Sequence, residues 1–149
     1  MVRLYRVMTG KGSIEQVLDL KMEKTYKKKK DTLLKSEILR FNDTSFHEKL
    51  KPIGGVYRVF LARNPKKTLY VGKAKSIRQR LYNNLLMGQI RSHTLKRKLI
   101  RQNKCIDQET AKAYLKRNCA VQYIEEENGK ERSFLEHYTI SMLRPGLND

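Results

Sequence analysis

The spacing of hydrophobic residues changes character near Pro52. Before that point, a dense lysine run is followed by apolar residues at helical intervals in residues 32–41, which predicts one long helix or two short helices. After it, the stretch GVYRVFLA (residues 55–62) alternates with a period of two, as a β-strand does. We therefore expect a basic, helical N-terminal extension over residues 1–52 and a separate domain over residues 53–149.

The pattern beyond Pro52 predicts a small α+β domain. The first strand and the stretch LYVG (69–72) are typical of an antiparallel hairpin, with RNPKKT (63–68) as its turn. CAVQYIEE (119–126) predicts a third strand. Helical spacing and capping residues predict four helices, starting near Ser76, His93, Asp107 and Glu131. The expected fold is α+β, with a three-stranded, mostly antiparallel sheet flanked by helices.

Composition adds a strong positive charge to this picture. The 149 residues include 33 Lys and Arg against 15 Asp and Glu, a net charge of +18, while 39% hydrophobic residues suffice for a core. Such an excess favours binding to a polyanionic partner through counterion release. The simpler alternative is a basic surface that serves only to keep the protein soluble. No apolar run approaches the roughly 20 residues that a membrane helix needs, so we expect no membrane partner. Cys105 and Cys119 lack metal-ligand spacing, which favours reduced thiols in a cytoplasmic protein.

The stretch LYVGKAKSIRQRL (69–81) brings a glycine and several cations to the start of a predicted helix. Gly72 has no Cβ, so the chain can turn or approach a ligand closely there. The helix start near Ser76 offers unpaired N–H groups and a positive dipole end, both suited to a phosphate. Arg80 lies about 100° around the helix from the apolar Leu81, so its guanidinium can reach a cleft edge. The stretch fits either a phosphate site or a basic corner between strand and helix.

Two tyrosines favour the phosphate site. Tyr57 lies on the first predicted strand and Tyr70 on the second, so both hydroxyl groups can point into one cleft beside the basic helix. Tyrosines on strands also pack in cores or across strands, and that alternative stays open. The pair is therefore a cluster worth locating in the fold.

The order and spacing of these residues resemble those of the GIY-YIG endonuclease family. GVY (55–57) is followed by YVG (70–72), and Arg80 comes ten residues after Tyr70. A glutamate on the last predicted helix, Glu136, precedes Asn148 by twelve residues, just past a proline. The stretches YVGKAKSIRQRL and FLEHYTISMLRPGLND look most similar to the nuclease domain of the incision subunit of bacterial nucleotide-excision repair. The resemblance covers about residues 53–149.

The resemblance implies a role for five side chains in phosphodiester hydrolysis. Glu136 is expected to bind one divalent ion, Mg²⁺ or alternatively Mn²⁺. Tyr57 is the expected general base, and a neighbouring cation must lower its pKa from about 10 for that role. Tyr70 would orient the water or the phosphate, and Arg80 would stabilise the negative charge that builds up. Asn148 would fix the end of the last helix and the cleft through hydrogen bonds.

Other residues are expected to support this site. His93 is a candidate helper, because some family members carry histidines after the arginine helix. Gly55 and Gly72 are the glycines of the two triplets and have structural roles. The basic side chains near the site are expected to contact phosphates without reading sequence, namely Lys73, Lys75, Arg78, Lys96, Arg97 and Lys98.

The leading interpretation is a stand-alone, metal-dependent DNA endonuclease that cuts one strand of double-stranded DNA per active site. Cutting both strands would require a homodimer or two encounters. The alternative is a catalytically inactive DNA-binding module on the same fold, and an RNA-directed basic protein is a third interpretation. Restriction, homing by a mobile element and repair all remain open as biological roles. The expected location is the cytoplasm, in association with the nucleoid.

Overall fold

A computed structural model describes residues 10–148, with side chains from Leu20 onward. In chain order the elements are α1 (Gly10–Lys35), β1 (Leu39–Arg40), α2 (Phe46–Lys49), β2 (Gly55–Leu61), β3 (Asn64–Ala74), a π-helical segment (Gln79–Leu86), a 3₁₀ turn (Ile90–Ser92), α3 (Thr94–Arg101), α4 (Gln108–Asn118), β4 (Cys119–Glu125) and α5 (Gly129–Leu143). The α+β class and the antiparallel sheet flanked by helices are confirmed. None of the described helices is long and apolar enough to cross a membrane.

The sheet has four strands, in the order β1-β4-β2-β3, so the prediction of three strands is wrong. The additional strand is β1, which lies in a stretch predicted to be helical. Leu39 pairs with Val121 and Arg40 with Ala120. The chain leaves the helical path after Lys35 because the edge of β4 offers unpaired backbone groups and a buried position for the Leu39 side chain. Residues 39–50 thereby share the main core with the chain beyond Pro52.

The hairpin that β2 and β3 form is longer than predicted. β3 starts at Asn64, so residues 64–68 of the expected turn belong to the strand, and it continues through Gly72 to Ala74. The register places Tyr57 opposite Gly72 and Val59 opposite Tyr70, and a bulge follows beyond Val59. Strand β2 pairs with β4 on its other side. The predicted hairpin therefore exists, with β2 inside the sheet and β3 at its edge.

Helices cover both faces of the sheet, which explains why nearly every residue of β2 is buried. One face packs against the π-helical segment, where Ile77, Leu81 and Leu85 are fully buried as their spacing predicts. The opposite face packs against α1 and α5 through a smaller cluster. Three predicted helix starts are confirmed: Ser76 Oγ accepts the Gln79 N–H at 3.2 Å, His93 caps α3, and Asp107 caps α4.

Candidate active site

The side chain of Tyr57 lies in a space that Gly72 leaves open. Tyr57 is fully buried, and Gly72 stands opposite it on β3. A Cβ built on Gly72 would lie 2.5 Å from the Tyr57 hydroxyl and 2.7 Å from the ring carbon that carries it. β3 continues through Gly72 to Ala74 and Gly72 has no positive φ, so the chain does not turn at this glycine. Gly72 makes room for the phenol instead.

Gly55 has a comparable packing role at the start of β2. It pairs with Ala74 on one side and Glu125 on the other. A Cβ at this position would overlap the carbonyl oxygen of Ile124 and come within 3.1 Å of the Ile77 side chain. The absence of a side chain at Gly55 thus lets the π-helical segment approach the sheet.

His93 forms a buried hydrogen bond with Tyr57, at 2.7 Å between Nε2 and the phenolic oxygen. The other ring nitrogen, Nδ1, accepts the Leu95 N–H at 3.0 Å, so His93 caps α3. Burial, reinforced by the positive charge of Arg80, lowers the pKa of His93 to about 3, so the ring is neutral at pH 7. A neutral ring that accepts at Nδ1 carries its proton on Nε2. His93 therefore donates to the oxygen of Tyr57.

Tyr70 completes an aromatic cluster with these two residues. Its ring centroid lies 5.3 Å from that of His93, in an edge-on arrangement, and 6.4 Å from that of Tyr57. Burial raises the pKa of Tyr70, while Arg80 and a hydrogen bond with Thr94 lower it. Tyr70 is half-buried. It therefore lies between the buried Tyr57 and the surface.

Arg80 brings a positive charge to both phenols. It lies on the π-helical segment beside the buried Leu81, and its Nη1 donates to the Ser92 carbonyl oxygen at 3.2 Å. Burial raises the pKa of Tyr57, and Arg80 opposes that rise. π-Helical geometry is rare and is often found at functional sites. The guanidinium is thus held near the phenolic oxygens by a backbone contact.

Glu136 reaches the same place from α5. Its negative charge raises the pKa of both Tyr57 and Tyr70, at Tyr57 as the smallest of the effects, so the carboxylate acts electrostatically on both phenols. Glu136 is half-buried, and burial raises the pKa of its carboxyl group. Lys73 and His137 lower that pKa and so oppose the effect of burial. The structure thus brings together four of the five residues that the family resemblance singles out.

Asn148 lies behind this cluster. Its side-chain oxygen accepts the Val71 N–H at 2.8 Å, and its side-chain nitrogen donates to the Val71 carbonyl oxygen at 2.9 Å. The Leu147 N–H also donates to the carbonyl of Leu69 at 2.7 Å. Both polar groups of the amide are therefore occupied by the backbone between Tyr70 and Gly72. Asn148 is a positioning residue that holds β3, not a group that touches the reacting atoms.

Two of the six predicted phosphate contacts are buried. The Lys96 ammonium group donates to the Gly88 carbonyl and, at 2.7 Å, to the side-chain oxygen of Gln108. Burial lowers the pKa of Lys96 to about 8. Lys98 is only 9% exposed. The expectation that Lys96 presents its charge to a phosphate is therefore wrong, because its buried ammonium group already donates to Gly88 and Gln108, whereas phosphate contact by Lys98 stays a prediction.

The other four cations lie closer to the surface. Lys73 is exposed and donates to Ser133 Oγ at 2.6 Å, and Lys75 is exposed. Arg78 donates from Nε to the Leu50 carbonyl at 2.8 Å. Arg97 is exposed, and one of its nitrogens donates to the Arg91 carbonyl at 2.9 Å. Their placement is compatible with phosphate contact beside the aromatic cluster.

The donor set suits a hard divalent cation rather than zinc. Within the described residues, no group of three or more His, Cys, Asp or Glu side chains could hold a metal ion. Mg²⁺ and Mn²⁺ are bound by one or two carboxylates and keep several waters, whereas structural zinc needs four nitrogen or sulfur ligands. Burial disfavours the charged form of the Glu136 carboxylate, and a bound divalent cation would stabilise that form.

Sequence reasoning missed the contributions of Ser92 and Thr94. The Ser92 carbonyl oxygen holds Arg80, and Thr94 lowers the pKa of Tyr70. Both flank His93, so a histidine next to a Thr at a predicted helix start was the available signal.

Comparisons of the chain with protein-family models, curated proteins and solved structures find no match.

Proposed function

We propose that this protein is a metal-dependent DNA endonuclease of the GIY-YIG type, which hydrolyses phosphodiester bonds. The observation that supports it best is the meeting of two phenols, a histidine, a guanidinium and a carboxylate from separate elements of the fold. Tyr57 lies at its centre, with His93 at 2.7 Å and with Arg80 and Glu136 both acting on its pKa. Titratable groups that perturb one another in this way are concentrated at catalytic sites.

Tyr57 serves as the general base for the attacking water. Because His93 donates to the phenolic oxygen, the phenol's own proton is directed away from His93. Transfer of that proton to solvent leaves a phenolate that keeps the His93 hydrogen bond and faces the charge of Arg80, and the phenolate then accepts the proton of the attacking water and becomes a phenol again. A positioned general base contributes about 10²- to 10⁴-fold to the rate.

The remaining groups stabilise the negative charge of the phosphate and position the DNA. Arg80 stabilises the negative charge on the phosphoryl oxygens, and its tie to Ser92 means that little reorganisation is needed. Tyr70 orients the phosphate or the water from the outer side of the cluster. Glu136 would hold the divalent ion, which when bound supplies Lewis-acid stabilisation of the phosphate. Lys73 and Lys75 position the DNA strand beside Glu136.

The second candidate is an inactive DNA-binding module on the same fold. It is favoured by one observation, the complete burial of Tyr57, which raises the pKa of the phenol and disfavours the phenolate. The two candidates share the basic surface, so binding to DNA does not separate them. Cleavage does.

The test is nicking of a supercoiled plasmid in the presence of Mg²⁺. We expect Glu136→Gln to lower the rate by about 100-fold or more, and Tyr57→Phe to act in the same direction. Glu109→Gln is the matched control, since Glu109 is exposed on α4. Nicking that survives Glu136→Gln would refute the metal assignment. Binding of the plasmid by the unmodified protein without any nicking would favour the module.

A further inference from the structure

Helix α1 carries a straight row of exposed lysines, Lys21, Lys24, Lys28 and Lys35, which we name the lysine stripe. At 100° per residue the four side chains fall within an arc of about 60°. They extend over about 21 Å of the helix, at 1.5 Å per residue. Apart from these lysines, that face carries the exposed and uncharged Thr25 and Thr32, and Asp31 lies at its edge, where it pairs with Lys27 and Lys30.

The opposite face of α1 is fixed to the domain. Tyr26 and Leu33 are buried there, nearly opposite the lysine stripe. The Tyr26 ring lies 6.0 Å from the ring of Tyr138 on α5, and its hydroxyl donates to Glu131 at 3.2 Å. α1 therefore packs on the same helix that carries Glu136.

The C-terminal end of α1 is held by a buried polar chain. Gln122 on β4 donates from its side-chain nitrogen to the carbonyl oxygens of Leu34 and Ser36, at 3.1 and 2.7 Å. The side-chain oxygen of Gln122 accepts from Arg58 Nε at 2.9 Å, and Arg58 in turn donates to Thr68 on β3 at 2.8 Å. The direction of α1 relative to the sheet is thus set by satisfied hydrogen bonds.

The lysine stripe differs from the other lysines of the same run in its ion pairs. Those other lysines are paired with carboxylates: Lys27 and Lys30 share Asp31, at 3.0 and 3.1 Å, and Lys29 pairs with Glu126 at 2.6 Å. Within the side chains that the structure describes, the four stripe lysines form no ion pair. Four adjacent positive charges without partners on a fixed, straight helix attract a polyanion.

We infer that the lysine stripe binds the sugar–phosphate backbone of double-stranded DNA outside the active site. This inference rests on the proposed function, which makes DNA the polyanion. A length of about 21 Å spans about six base pairs of a duplex at 3.4 Å each along the axis, over which four lysines can reach the phosphates that face the helix. The contact adds affinity that does not depend on sequence. α1 packs on α5, the helix that carries Glu136, so the stripe belongs to the same rigid part of the domain as that carboxylate.

The test measures binding separately from cleavage. The variant replaces Lys21, Lys24, Lys28 and Lys35 by glutamine, which keeps helix propensity and removes four charges. The matched control replaces four lysines of other elements by glutamine, namely Lys66, Lys67, Lys104 and Lys116. Binding of a fluorescein-labelled DNA duplex is followed by anisotropy in EDTA over a series of salt concentrations, with circular dichroism to confirm folding.

We expect the slope of log K against log [salt] to fall by about 3 to 4 for the stripe variant, since each lost phosphate contact removes about 0.9. The control variant should change the slope by less than half as much. An unchanged slope, or equal changes in both variants, would overturn the inference. A larger loss on an RNA duplex of the same sequence would overturn the assignment to DNA. Glu136→Gln in the same assay should keep the full slope, so a failure of the nuclease proposal would show only in nicking.

Discussion

Replacing Gly72 by alanine is the sharpest perturbation of the candidate site, because the added methyl group meets the Tyr57 hydroxyl. The added Cβ would lie 2.5 Å from the Tyr57 hydroxyl and 3.0 Å from a ring carbon of Tyr70. Carbon atoms in contact prefer about 3.5–4.0 Å, so the Tyr57 ring must shift within a close-packed core. Such a shift would break the 2.7 Å hydrogen bond with His93.

The expected loss of stability is about 1–6 kcal/mol. Overpacking a core costs about 1–3 kcal/mol, and leaving a buried donor unsatisfied costs about 1–3 kcal/mol. Replacing glycine by alanine recovers about 0.4–1 kcal/mol through the unfolded chain. Gly146→Ala makes the same chemical change where a Cβ meets nothing within 4 Å. That variant should lie within about 0.5 kcal/mol of the unmodified protein.

The assay is urea unfolding followed by far-ultraviolet circular dichroism, because the chain has no Trp to report by fluorescence. Gly72→Ala should lower the unfolding midpoint without a matching change in Gly146→Ala. In a Tyr57→Phe background the hydrogen bond is already absent, so Gly72→Ala should cost less by about 1 kcal/mol or more. If Gly72→Ala proved as stable as Gly146→Ala, the close approach of Gly72 and Tyr57 would be refuted.

Two further predictions concern His93 and Asn148. The pKa of His93 is about 3 in the folded protein, against 6.5 for an ordinary histidine. Between these two values only the unfolded chain binds a proton at His93. The free energy of unfolding therefore falls as the pH drops below about 6.5. By pH 4.5 this amounts to about 2–3 kcal/mol, which should be missing in His93→Gln when urea midpoints are compared across pH. Asn148→Ala removes both hydrogen bonds to Val71, so it should cost about 1–2 kcal/mol and speed hydrogen exchange of the Val71 amide. Unchanged protection of that amide would contradict the anchoring role.

Local patterns of the sequence were sufficient for the class of the fold and for several elements. The period-two alternation of residues 55–62 predicts β2, and the four-residue spacing of Ile77, Leu81 and Leu85 identifies the buried side of the segment after β3. The cap at Asp107 likewise follows from neighbouring residues. These features depend on contacts between residues close in the chain, where propensity and periodicity act directly.

The tertiary structure decided what depends on residues distant in the chain. Leu39 forms a strand rather than a helix because β4 lies beside it. Lys96 can be buried because Gly88 and Gln108 accept hydrogen bonds from its ammonium group. Tyr57 and His93 are 36 positions apart, and only the fold brings their side chains to 2.7 Å. Sequence spacing carries no information about such a meeting, since it depends on how strands pair and helices pack. The sequence named the residues of the candidate site, with His93 among them as a helper, but only the fold shows that His93 is the hydrogen-bond partner of Tyr57.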